Sequence, residues 1–201
     1  MVEHPDVQTA HENLLYIRKT LEAAGQFTAV SGKSLMAAGF AALAGAAVNN
    51  WITGAPWNSQ TDPRSALAVW GIVLGVSLTI VLFGIYRKSL QMRTSIQPPL
   101  LRRLLWSLCP ALFVGALLSI LVVRSGNLDF LPVVWLGCYG AAVANGGLVS
   151  VAPIRYMGLC FLAAAAGAAL SPREAGLGWL ALGFGWLHIV YGAYIARRHN
   201  G

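Results

Sequence analysis

Six stretches of this chain contain no Asp, Glu, Lys or Arg: 35–53, 66–86, 104–123, 130–152, 156–170 and 176–196. A helix needs about 20 mostly apolar residues to cross a hydrocarbon core about 30 Å thick. In that medium every backbone N–H and C=O must be satisfied within the protein, which restricts spanning segments to helices or closed barrels. The stretches therefore predict an all-α protein, a polytopic bundle of six transmembrane helices. Segments such as AVWGIVLGVSLTIVLFGIY are apolar all round, whereas a soluble surface helix shows a polar face at the 3.6-residue period. Composition agrees, with 57% hydrophobic and 10% charged residues against about 25% charged in soluble domains.

A net charge of +7 would suggest nucleic acid in a soluble protein, so its distribution matters. With the N-terminus inside, eleven of the fourteen Lys and Arg fall on the inner side, and only Arg64, Arg124 and Arg173 lie outside. That bias predicts a topology with both termini cytoplasmic and does not point to nucleic acid. Each outer arginine has an acidic residue in its own loop: Asp62, Asp129 and Glu174. Arg87, Lys88, Arg93, Arg102 and Arg103, between the second and third spans, are expected to hold anionic lipid headgroups at about 1 kcal/mol each. No cleavable signal peptide is expected, because the first apolar span follows a polar, mixed-charge segment. Cys109, Cys138 and Cys160 are far apart and form no metal or disulfide pattern.

Ahead of the spans, Val7, Ala10, Leu14, Ile17, Leu21 and Ala24 recur at alternating spacings of three and four, which is one apolar stripe on a helix. Pro5 suits its first turn, and Gly25 the position past its end. The chain thus divides into a cytoplasmic amphipathic helix and turn, 1–33, and a membrane domain, 34–201. The stripe has three possible uses: lying on the inner leaflet, packing on the bundle, or binding a cytoplasmic partner or a second copy through residues 5–24. Gly32-Lys33-Ser34 ends like a phosphate-binding loop, but Phe27 stands where the first glycine belongs. With a helix upstream in place of a strand, no nucleotide is expected there.

Small residues in MAAGFAALAGAA and LAAAAGAAL predict close helix approach. Pro132 and Pro153 read as span ends and Pro110 as a kink. A faint repeat relates Met36 and Phe40 to Met157 and Phe161, and LTIV at 78–81 to LHIV at 187–190, which would make spans one and two equivalent to five and six.

Ionisable groups at membrane depth are costly and are kept for function. Here there is one, His188, with Trp186, Tyr191 and Tyr194 nearby in sequence. Three readings stay open: a neutral imidazole bonded to a neighbouring helix, for example to a carbonyl or to Asn145; the polar anchor of a ligand or lipid pocket; or proton transfer or metal or haem ligation. Asn145 precedes Gly146 and Gly147, a pair able to unwind the helix and expose carbonyls to a ligand. His188, Asn145, Gly146, Gly147, Trp186 and Tyr191 together form the candidate binding site. Asn49 and Asn50, beside Trp51, read as interfacial. No catalytic set, paired carboxylates or metal-ligand cluster stands near a span, so no cofactor, metal or catalytic residue is expected.

Three longer phrases carry a resemblance: ENLLYIRKTLEAAGQFTAVSG before the first span, YGAAVANGGLVSV with the following MGLCF, and FGWLHIVYGAYIARRHNG at the end. They resemble a group of bacterial six-helix integral membrane proteins with no assigned activity, in which ENLxxIRxxxExAGxFTAV, YGxxVxxGG and HIVxGxxIARR segments recur. The resemblance implies the same six-helix fold, the bacterial cytoplasmic membrane and a role as membrane partner or sensor. The functional expectation is a non-catalytic sensor, regulatory or scaffold protein with a small hydrophobic or lipid-like ligand or a cytoplasmic partner. The alternatives are a carrier or channel for a small neutral molecule and, third, an enzyme acting on lipid.

Overall fold

The computed structural model describes residues 12–17, 30–53, 62–91 and 98–198. After a short helical run at 12–17 (α1) come α2, Gly32–Thr53; α3, Pro63–Gln91; α4, Pro98–Arg124; α5, Leu131–Gly146; and α6, Ala152–Leu170. The last rod is composite, with α7 (Gly176–Leu180) and α8 (His188–Arg198) joined by a π-helical segment, Ala181–Leu187. There is no extended strand among the described residues, and six helices are long and apolar enough to cross a membrane. Helices satisfy their backbone groups internally, which is what an apolar solvent demands of these sequences.

α5 packs on α4 and α6, and α2 packs on α3 and on the α7–α8 rod. Glycine sets the closest approaches. A Cβ on Gly158 of α6 would overlap the backbone of Ala144 in α5, and one on Gly140 would stand 2.9 Å from the Leu162 nitrogen. Where α2 meets the π-helical segment, a Cβ on Gly39 would come 2.7 Å from the Gly185 carbonyl oxygen. Without a hydrophobic drive between helices in lipid, such backbone contacts are the main source of association. The buried cluster between the helices centres on Leu131, Leu136, Phe161, Leu180 and Met157.

Several helix ends differ from the apolar stretches. α3 and α4 run on through Arg87, Arg102 and Arg103, whose long exposed side chains can reach past the apolar zone while the helix continues. α5 stops at Gly146, well short of 152, and α6 starts at Ala152 with Pro153 in its first turn. Pro110 lies within α4 without ending it. Two residues of the suggested repeat differ in burial, Phe161 being 0% and Phe40 56% exposed.

The ends are tied by polar contacts. Arg173 pairs with Asp129 at 3.3 Å, across two loops and not with Glu174 of its own. Asp62 caps α3 by accepting from the Ser65 N–H at 3.0 Å and from the Ser65 hydroxyl. The Ser65 hydroxyl and N–H, and then the Arg64 N–H, hold the Asp62 carboxyl below its ordinary value of 3.8. A depressed carboxylate pKa contributes stability that is present above the unfolded value and lost as pH falls through the lowered folded one. Thermal melts of the parent and Asp62→Ala are therefore expected to differ at pH 7 and to converge below pH 3.8.

Candidate functional site

His188 opens α8 immediately after the π-helical segment and is 6% exposed. Its Nε2 lies 2.8 Å from the Tyr139 hydroxyl of α5. Its Nδ1 is buried and makes no well-aligned hydrogen bond, with the Gly183 and Phe184 backbone carbonyls of the π-helical segment beside the ring. A neutral imidazole has one donor and one acceptor, so the ring can turn its N–H toward these carbonyls while Nε2 accepts from the Tyr139 hydroxyl.

Aromatic rings wall the pair. Phe161 of α6 meets His188 edge-on at 5.5 Å between centroids, and Phe184 of the π-helical segment stacks on it at 6.3 Å with 20° between planes. Tyr139 lies 4.8 Å from Phe161 and 5.1 Å from Phe184. Phe184 also reaches Trp70 of α3 at 6.1 Å, and Trp70 stands 6.0 Å from Trp135. Trp135 donates its Nε1–H to the Ser119 hydroxyl at 2.9 Å, tying α5 to α4. Below His188 on its own helix, the Tyr191 hydroxyl lies 3.2 Å from the Cys160 sulfur.

Local sequence explains the assembly. Gly183 and Gly185 leave the π-helical segment bare where Leu136 and Phe161 on one side, and Leu43 on the other, press against it. π-Helical stretches are rare and gather at functional positions. Phe184 and His188, four residues apart, share the inner face of the rod.

Of the residues named from sequence, only His188 and Tyr191 are in this cluster. Trp186 is 55% exposed on the outer surface of its helix, because the period of the rod turns it away from His188. Asn145 is exposed at the last turn of α5, so it is not the partner of His188. Gly146 is buried against Leu104 and Leu108 of α4, and a Cβ on Gly147 would overlap the Arg155 backbone. The span does unwind at this pair, since α5 ends at Gly146, but Gly146 faces α4 and Gly147 closes a tight connection to α6. Asn49 is 0% exposed one turn before the end of α2 at Thr53, so its side chain faces the bundle interior and not the surroundings.

Among the expected headgroup cations, Lys88 is 7% exposed and donates from Nζ to the Val30 carbonyl at 3.0 Å, so it braces the entry to α2 and does not face lipid. Arg87, Arg102 and Arg103 are exposed, and Arg93 lies outside the described residues. Among the described residues no group of His, Cys, Asp and Glu is placed to hold a metal ion. Comparison with protein-family models, with curated proteins and with solved structures finds no match.

Sequence reasoning missed Tyr139, Phe161 and Phe184. Tyr139 is legible only as one more aromatic in an apolar span, and nothing in the spacing of α5 says that it faces α8. The site defines a class of molecule, a helical bundle with six candidate membrane spans and a polar His–Tyr pair inside an aromatic shell.

Proposed function

We propose that this is a multi-pass protein of the bacterial cytoplasmic membrane, with both termini cytoplasmic, that acts as a non-catalytic sensor or scaffold for a small hydrophobic ligand. The observation that carries the reading is the polar pair of the buried His188 with Tyr139, enclosed by Phe161 and Phe184. A mostly apolar site with one oriented polar group is the usual form of a small-molecule site. The eleven-to-three distribution of Lys and Arg supports the orientation. Leu14 and Ile17 in α1 are 65% and 53% exposed, which supports a cytoplasmic partner or the membrane surface as the counterpart of the N-terminal stripe.

Native mass spectrometry of protein extracted gently from its own membrane tests this. The parent is expected to retain a discrete small molecule that His188→Ala loses, while the mutation lowers stability by only about 1 kcal/mol, the scale of an intramembrane hydrogen bond. Deleting residues 1–24 should leave that molecule bound and remove any protein partner. A parent that carries no small molecule, or a His188→Ala variant that carries the same one, would sink the ligand reading.

A further inference from the structure

Trp70, which meets Phe184 at 6.1 Å, and Asn49 carry most of the unmet hydrogen-bonding groups of the interior. Trp70 is 6% exposed, and its buried Nε1–H has no partner. Asn49 is 0% exposed, and neither its Nδ2 nor its Oδ1 has a partner. These are three of the five buried side-chain nitrogen and oxygen atoms left without a hydrogen bond among the described residues. The α2–α3 register sets them at one height. Gly84 lies against Ser34 and Gly45 against Val73, so the antiparallel pairing, carried one turn outward from Gly45, reaches the turn of α3 that bears Trp70. Both residues stand on buried faces, Asn49 with Ala46 and Trp70 with Ala66.

An unbonded primary amide in an apolar interior is expensive, and a Leu of similar size would carry no such cost. The turns around it, 42–49 and 66–73, contain no ionisable group, so a charged ligand would find no counter-ion. Trp70, Trp135 and Phe184 present flat aromatic surface beside the polar atoms, and the Trp135 N–H is already committed to Ser119.

We infer that the interior face shared by Asn49 and Trp70 binds a compact neutral molecule of the aromatic-amide class, one that carries a hydrogen-bond donor next to an acceptor. The side-chain amide of Asn49 supplies the complementary acceptor and donor, the Trp70 N–H supplies a further donor to the ligand carbonyl, and the rings supply the walls. Trp70 reaches Phe184 at 6.1 Å between centroids, and the proposal does not depend on the reading of His188.

The test uses the purified full chain with two probes of matched shape: benzamide, and acetophenone, which keeps the carbonyl but has a methyl in place of the NH₂. Saturable thermal shifts are expected for benzamide, with an apparent Kd at least about tenfold lower than for acetophenone, because the second probe leaves a buried acceptor unpaired. In Asn49→Leu that preference should vanish, and in Trp70→Phe both probes should weaken together. If Asn49→Leu does not fold, Trp70→Phe carries the comparison alone. Equal binding of the two probes by the parent, or a preference that survives Asn49→Leu, overturns the site. No saturable shift with either probe, with Asn49→Leu at least as stable as the parent, also overturns it and leaves ordered water as the partner of these atoms.

Discussion

Gly158→Leu is expected to abolish the folded bundle, while Gly75→Leu leaves it intact. Both residues are glycines in the middle of spanning helices, and only their surroundings separate them. A Cβ on Gly158 would fall on the backbone nitrogen and Cα of Ala144, at the contact between α5 and α6. Side-chain overpacking usually costs about 1–3 kcal/mol because neighbours can turn aside. Here the obstacle is backbone, so the two helices must separate and give up the contacts that hold α5 to α6. On Gly75 of α3 a Cβ would meet nothing within 4 Å, and replacing glycine in an exposed helix recovers about 0.8 kcal/mol of helix propensity. Size-exclusion profiles and melting of the two variants in mild detergent decide this. A Gly158→Leu protein that elutes and melts with the parent would show that the α5–α6 contact is not where the fold is held.

The contrast also shows where sequence reading reached its limit. The six spans were legible because the bilayer forbids charge at depth, and that rule leaves its mark directly on the chain. The closeness of the helices was legible too, through stretches such as LAAAAGAAL. Which glycine meets a neighbour and which meets open space was not, since that depends on the faces the helices turn to one another. The two asparagines make the same point. Asn145 looked deep and Asn49 interfacial, but the close approach of Gly147 to Arg155 ends α5 early, and Asn49 turns its side chain into the bundle one turn before the end of α2. Lys88 was read as a lipid contact because it is a cation at a helix end, and only the position of Val30 reveals the carbonyl it serves. His188 stood out by its rarity in an apolar span, but its partner Tyr139 is set by the π-helical segment, for which the sequence has no clear mark beyond two glycines.

Phe161→Ala is the second substitution expected to have a large effect. Phe161 is 0% exposed and lies within 5.5 Å, centroid to centroid, of Tyr139, Phe184 and His188. Removing a buried Phe ring from a soluble core costs about 3–5 kcal/mol, as lost transfer energy plus the cavity left behind. In lipid the separated helices remain in hydrocarbon, so the transfer part shrinks and the loss of packing contacts remains. A loss near the lower limit of that range, about 3 kcal/mol, is therefore expected. Phe161→Leu keeps most of the volume and should cost less than about 1.5 kcal/mol. Unfolding titrations of the three proteins with a denaturing detergent measure the differences. The ring also forms a wall of the His188–Tyr139 pair, so the Ala variant should lose the small molecule that the parent retains, and the Leu variant should keep it at reduced occupancy. If Phe161→Ala unfolded with the parent, the aromatic shell would not be the mechanical centre of the bundle. If it unfolded early yet still held the ligand as the parent does, the ligand would sit elsewhere, and the Asn49–Trp70 face would be the next place to look.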